Sequence, residues 1–304
     1  MNTNFEYSSF QTKPFMKKFI LAGYLLLSMF PALAQESSKL PLFRISDVHM
    51  LLGSSSDRGI NGSMNDFRKL APGSVLINTN LNDFRYSFDD GYSEGAFTLL
   101  AGFQIRNKEG SAYRKAPMLR VGINYFNATL MSESYSRQFR QRVDTLTSNQ
   151  TGAEYYVDSV ANHYLGMDYS SEHVRLDVSL LFHSNPAGRW SFFAGAGINA
   201  GMSINAQTNV YYSEYGQVER DMNRNYYNTN NLSKSESFIN KSGFSGSFYM
   251  PLGVDFRIAT KNDFFSKTHL FYEMRPSLNM YVIPELGSYF NTGNGHNLGF
   301  RYSW

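Results

Sequence analysis

Between Trp190 and Asn205 the chain reads WSFFAGAGINAGMSIN, and its residues sort by parity. Trp190, Phe192, Ala194, Ala196, Ile198, Ala200, Met202 and Ile204 fall on one side. Ser191, Phe193, Gly195, Gly197, Asn199, Gly201, Ser203 and Asn205 fall on the other. Period-2 alternation is the signature of a β-strand, and strands average about 5–6 residues. A register held for so long needs a constant reason on each face: hydrocarbon on one, a polar interior on the other. A wall of such strands must close on itself, because no open edge is tolerated in lipid.

The pattern recurs along the chain. RISDVHMLLG sets Val48, Met50 and Leu52 against Asp47 and His49; EGAFTLLAGFQIR sets Phe97, Leu99, Phe103 and Ile105 against Thr98, Gln104 and Arg106. MLRVGINYFNATLM opposes Leu119, Val121, Ile123 and Tyr125 to Arg120, Gly122 and Asn124, and HVRLDVSLLF opposes five apolar residues to Arg175 and Asp177. GFSGSFYMPLGVDFRI turns Asp255 and Arg257 away from its apolar face, and THLFYEMRPSLNMYV does the same with Glu273 and Arg275. Pro276 in that segment reads as a bulge or strand end, since proline cannot donate to a ladder. The chain closes on NLGFRYSW, with Leu298, Phe300, Tyr302 and Trp304 on one parity and Arg301 on the other.

These eight segments predict an all-β, antiparallel transmembrane barrel. YSRQFRQRVDTLT and AEYYVDSVANHYL are two further strand candidates, and ten to twelve strands is the alternative count. Their lipid face would carry Arg, at ~2–4 kcal/mol for each mid-depth cation, so they read as a hairpin prolonging the third and fourth strands above the membrane. Connections alternate between short (NKEGSAYRKA, SNPAG, TKNDFFSK) and long (residues 54–92, 135–171, 212–242 and 284–296). Short turns on one side with long extracellular loops on the other is the outer-membrane arrangement. In the first long loop, Ser63 and Asp66 have capping-box spacing ahead of Phe67 and Leu70, predicting one short helix.

Composition agrees. Charged residues are 17% of the chain, against about 25% in soluble domains. The mean hydropathy of −0.37 is no objection, because only alternate residues of a barrel strand meet lipid. The net charge of +3 gives no reason to expect nucleic acid. Cysteine is absent, which removes disulfides, thiolate metal sites and thiol nucleophiles together. No cofactor is expected: there is no metal-ligand cluster, phosphate-binding glycine loop or nucleotide motif.

MKKFILAGYLLLSMFPALAQ has the basic start, apolar core and small-residue end of an export signal. Ala32 and Ala34 mark cleavage after Ala34, leaving 35–304 as a single barrel domain. Residues 1–15 precede the signal awkwardly, and Met16 reads as the natural start.

The last strand also resembles the assembly signal of outer-membrane proteins, with Asn297, Gly299, Tyr302 and Trp304 at its specified positions. The chain as a whole resembles the small OmpA/OmpX-type barrels and the broad "outer membrane protein beta-barrel" families. That resemblance implies export to the outer membrane of a Gram-negative cell, with outer-membrane lipid and the barrel-assembly machinery as partners. No family-specific functional motif is matched, so it assigns no functional residue.

Eight strands enclose a space that side chains can fill, and buried charges must be paired. Arg106, Arg120, Arg175, Arg257, Arg275 and Arg301 therefore form a lumen network with Asp47, Asp177, Asp255 and Glu273. Trp190, Tyr211, Tyr212, Tyr281 and Trp304 suit the interfacial aromatic girdles. The expected role is non-enzymatic: envelope integrity, adhesion, or attachment to an extracellular or envelope partner through the long loops. One alternative is an envelope enzyme that modifies lipid A or cleaves peptides. For it, His163 and His173, near Asp168 and Glu172, are the best candidates. His183-Ser184-Asn185 resembles the His-x-Ser-Asn motif of lipid A deacylases but lacks the spacer. A narrow porin is the third reading.

Overall fold

Each alternating run is a strand in the computed structural model, which describes residues 42–57, 59–60, 62–78, 83–87, 93–106, 113–185, 188–220, 227–259 and 263–304. The export signal, its cleavage site and the side chain of Arg106 lie outside the described residues. In chain order the elements are β1 (Phe43–Asp57), α1 (Met64–Leu70), β2 (Arg85–Ser87), β3 (Ser93–Arg106), β4 (Tyr113–Thr147), β5 (Glu154–His183), β6 (Trp190–Arg220), β7 (Tyr227–Ile239), β8 (Phe244–Tyr249), β9 (Leu252–Arg257), α2 (Asp263–Ser266), β10 (Thr268–Ile283) and β11 (Gly287–Ser303).

Eight strands make the ring. β1 pairs antiparallel with β11 from Asp47↔Ser303 to Asp57↔Gly293, and this ladder closes the sheet. β8 and β9 are halves of one strand, because β6 meets them in one unbroken register, with Ala194↔Leu252 and Gly197↔Tyr249. The interruption falls at Met250 and Pro251. Pro276 is neither a bulge nor a strand end, contrary to expectation. It sits mid-strand opposite Asn294, with no register shift, and its carbonyl accepts from Met250 N at 3.0 Å. Continuity of both flanking ladders holds the strand straight through the missing donor.

The outer face is the apolar one. Leu52, Leu176, Phe192, Ile198, Leu278 and Leu298 are all more than half exposed, Leu298 at 71%. A tilted strand needs about 9–11 residues to cross the hydrocarbon. β4 has 35 residues, β5 has 30 and β6 has 31, so most of each lies beyond the apolar band. Two loops expected at 135–171 and 212–242 are therefore paired sheet. β4 and β5 pair out to Thr147↔Glu154, as the hairpin reading expects. β6 continues to Arg220 and is joined there by β7, whose register runs on into β8. With β2 on the free edge of β4, the wall of one side rises as a five-stranded sheet, β2-β4-β5-β6-β7.

The expected loop at 284–296 is likewise absent. β10 and β11 pair down to Ile283↔Gly287, and the turn closes with Gly287 at φ 113°, a left-handed conformation that glycine adopts without steric cost. A second helix, α2, lies in the short connection TKNDFFSK.

The first loop does fold as its spacing predicts. Ser63 Oγ accepts from Asp66 N, and Asp66 Oδ2 accepts from Ser63 N at 3.1 Å. The loop then docks on the concave face of the raised sheet. Phe67, Leu70 and Ile77 are buried against Met131, Leu165, Met167, Tyr169 and Val210, with Tyr281 and Ile283 below them. Ile60 bridges to Met131, Asn240 Nδ2 donates to Leu70 O at 2.8 Å, and Ser74 Oγ donates to Glu236 Oε2 at 2.5 Å. The loop is thus sewn to β4 on one side and β7 on the other.

Candidate functional site

The inward residues of the ring form three polar levels divided by an apolar layer. Lowest, near the short turns, Arg301 Nη2 lies 3.1 Å from Asp255 Oδ2, and the His269 ring meets Asp255 Oδ1 through Nδ1 at 2.5 Å. Asp47 accepts from Ser46 Oγ and Ser303 Oγ, both at 2.5 Å, and Arg301 Nη1 stands 3.9 Å away. Above this level, Leu51, Leu100, Met118, Leu181, Phe193 and Phe271 pack into one buried cluster. The rings need glycine opposite them. A Cβ on Gly299 would stand 2.1 Å from Phe271 Cζ, and one on Gly253 would stand 2.3 Å from Phe193 Cζ. The fold therefore gives Gly299 a second duty besides its place in the terminal motif.

The middle level carries the tightest ion cluster. Arg120 Nη1 and Nη2 donate to the two oxygens of Glu273 at 2.7 and 3.3 Å, and its Nε donates to Ser179 Oγ at 3.0 Å. Arg275 bridges two carboxylates, Nε to Glu273 at 2.5 Å and Nη1 to Asp177 at 3.1 Å. Tyr249 OH donates to the other oxygen of Asp177 at 2.5 Å. Arg120, Asp177 and Glu273 have no exposed surface. Forked guanidinium–carboxylate pairs in a dry site are strong and geometrically specific.

At the upper level, Arg175 donates from Nε to Ser245 Oγ at 2.8 Å and from Nη1 to Asn199 Oδ1 at 3.1 Å, with its guanidinium 4.2 Å from the Phe126 ring centre. His173 joins Ser171 Oγ at 2.7 Å and Ser245 Oγ at 2.9 Å, and stacks on Phe126 at 4.7 Å. A small cavity of about 60 Å³ lies among Arg175, Arg275, Asn124, Asn199 and Asn279. The docked loop and Tyr281 cover this end. Tyr281 is 1% exposed and so is a lumen residue; its odd parity places it inward, which overturns its assignment to the girdle.

Of the residues expected in the lumen, Asp47, Arg120, Arg175, Asp177, Asp255, Glu273, Arg275 and Arg301 are buried inside the ring, while Arg257 is only half-buried. His49, on the polar parity with Asp47, also lies inside, as do His173 and His269, which sequence reasoning did not assign there. Nor did it assign the apolar layer, although a signal exists. Leu51-Leu52, Leu99-Leu100, Met118-Leu119, Leu180-Leu181, Phe192-Phe193 and Leu270-Phe271 are apolar doublets, one per strand, and in each the inward member fills the layer.

The histidine candidates do not converge. His173 points into the lumen, whereas Glu172 and Asp168 accept from Asn205 Nδ2 and Asn209 Nδ2 on the other face of the sheet. His163 lies ten positions along β5, about 33 Å away at strand rise, where its Nδ1 meets Tyr212 OH at 2.5 Å. Around it the concave face of the raised sheet carries Arg137 over Phe139 at 4.2 Å and Glu214, whose carboxylate lies 3.8 Å from the ring. His183 sits above the short turn, with its ring 5.5 Å from Phe193.

Beside α1, outside the membrane-crossing part of β4, Glu133 is 3% exposed and its Oε2 has no hydrogen-bond partner among the described residues. Burial, and then the nearby Asp66 carboxylate, push its pKa up to about 7.

Comparison with known proteins gives structural likeness alone. No family model matches the chain, and no curated sequence matches it. Surface protein A of Neisseria aligns over 86% of this chain and 99% of its own, with 8% identity and a TM-score of 0.27. The attachment invasion locus protein Ail of Yersinia pestis covers 86% of this chain and 100% of its own, with 9% identity and a TM-score of 0.22. OmpT, an outer membrane protein of Vibrio cholerae, covers 89% and 100%, with 10% identity and a TM-score of 0.16. The chain is an eight-stranded transmembrane β-barrel. That statement rests on the closing ladder between β1 and β11 and on the apolar outer wall.

Proposed function

We propose that this barrel resides in the outer membrane of a Gram-negative cell and serves the envelope without catalysing a reaction, acting through the sheet that rises beyond the lipid. The observation that carries this reading is the filled cross-section. Six apolar side chains and two paired-ion levels occupy the lumen, while β4, β5 and β6 run on for 35, 30 and 31 residues, well past the length a membrane crossing needs. In this reading outer-membrane lipid surrounds the belt, and the barrel-assembly machinery reads Asn297, Gly299, Tyr302 and Trp304. An extracellular or envelope protein meets the exposed strands of β4 and β5.

Surface crosslinking on intact cells, comparing the whole protein with one whose raised hairpin is cut back, tests the partner. Crosslinks that require the hairpin support the reading, and identical crosslinking by both versions removes it. Planar-bilayer recordings of the purified protein should show no steady open-channel current. Sustained conductance would move the chain to the porin class.

The enzyme reading has one geometric feature in its favour, the contact of His173 with Ser171 and Ser245. A serine nucleophile needs a base that a substrate can approach, and this histidine is stacked on Phe126 and meets Tyr281 edge-on inside the ring. Lipid A from cells lacking and overproducing the protein should have identical mass spectra. An altered acyl pattern would revive this alternative.

A further inference from the structure

The small cavity above the middle ion cluster has an unusual lining. Arg275 is 8% exposed and Asn279 4%, and both border the cavity. Arg275 spends Nε and Nη1 on Glu273 and Asp177. Its Nη2 is sealed from solvent with no hydrogen-bond partner among the described residues, and Asn279 Nδ2 is in the same condition. Buried donors are nearly always satisfied in folded proteins, and an exception calls for a missing partner. Two such donors beside one cavity call for a shared one.

The lining decides what that partner is. Arg175 places a second guanidinium on the wall, and no carboxylate side chain borders the cavity. Water could accept from these donors and give its protons to the hydroxyl and carboxamide oxygens of the wall, but it brings no charge to the guanidiniums. An acceptor that is also negatively charged satisfies both donors and gains from the two guanidiniums at once. The surrounding lipid and the apolar layer below leave little solvent to screen that attraction. The space open to water is about 60 Å³, enough for a monatomic ion with accompanying waters.

We propose that the upper lumen is a binding site for one small inorganic anion, of the size and charge of chloride, held by Arg275 Nη2 and Asn279 Nδ2 with Arg175 facing it. The ion completes the donor side of a network whose carboxylates are already fully engaged with Arg120, Arg275 and Tyr249. It binds the folded ring only, because the unfolded chain does not bring β5 and β10 together, and so it stabilises the fold by mass action.

The test uses the full folded protein in detergent micelles. Urea unfolding is followed while chloride replaces gluconate, a bulky and weakly coordinating anion, at constant ionic strength. The midpoint should rise with chloride and saturate, and bromide should act likewise. Asn279→Ala should weaken the half-saturating chloride concentration about tenfold, the loss of one bond to a charged acceptor. Asn279→Asp supplies a fixed carboxylate in place of the ion and should abolish the halide response without lowering the midpoint. Crystals grown in bromide should show an anomalous peak within hydrogen-bond distance of Arg275 Nη2, a measurement that needs no variant. Equal midpoints for the unaltered protein in chloride and gluconate, with no bromide peak in the lumen, would show that the cavity holds water and would overturn the proposal.

Discussion

At the scale of single residues, the lumen is a case of charges that stabilise only as a set. Glu273 accepts from both Arg120 and Arg275 and has no exposed surface. Removing its charge leaves two guanidiniums under-neutralised where water cannot reach. Glu273→Gln is expected to lower the unfolding free energy by about 3–5 kcal/mol, measured by urea titration in lipid vesicles. Adding Arg120→Met should restore part of that loss, because one of the stranded charges goes with it. Glu133 makes the opposite kind of statement. Its pKa in the folded chain is raised to about 7, above the ordinary value near 4.3. Between those two values the folded state holds the extra proton, so stability falls as pH rises through that window and stays lower above it. The larger cause is the burial of Glu133 beside α1, and the capping Asp66 adds to it. Amide protection factors in 62–78, which remove the intrinsic pH dependence of exchange, should therefore be higher at pH 5 than at pH 8, and Glu133→Gln should erase the difference. Equal protection factors at the two pH values in the unaltered chain would exclude this coupling.

At the scale of elements, legibility followed the solvent. Where lipid lies on one face, as along Phe192 to Met202, the alternation is forced and the strand is plain from sequence. Beyond the lipid both faces of β4 and β5 meet water or the docked loop. Arg137, Phe139, Arg140 and Val143 therefore follow no parity, and the same chemistry writes loop and strand alike. The hairpin could be inferred only by excluding Arg from the membrane, and its partner β7 could not be inferred at all. Inside the ring the difficulty was different: an inward Leu181 beside an outward Leu180 looks like a broken pattern until the opposite wall is known. The raised hairpin is separable from the ring by the same reasoning. Arg137 and His163 are register partners, and the residues of β4 and β5 in the core that buries α1, Met131, Leu165 and Met167, lie below them. Replacing residues 138–162 by Asn-Gly, a tight turn suited to a hairpin, should leave folding intact. The shift in gel mobility between heated and unheated samples would persist. Loss of that shift would show that the hairpin nucleates the ring.

At the scale of the whole molecule, the arrangement inverts a soluble protein: its largest apolar surface is outside and its charges are within. Such a surface is stable only if hydrocarbon covers it, since exposed apolar patches of this extent drive association in water. The chain reports on this directly, because it has only two tryptophans. Trp190 is 61% exposed and lies against Phe256 with ring centres 4.5 Å apart; Trp304 is 50% exposed beside Tyr302. β9 pairs with Trp190 at Phe256, and β11 ends beside the start of β1, where Trp304 N donates to Ser46 O. Both indoles thus stand at the short-turn rim of the outer wall, the level where amphipathic rings settle between acyl chains and headgroups. In vesicles made with brominated lipids, bromine near the headgroup end of the chain should quench both fluorophores more than bromine near the bilayer centre. Trp304→Phe should retain the same depth profile from Trp190 alone. If neither lipid quenches the folded protein, the apolar belt faces something other than a membrane and the barrel's placement falls with it.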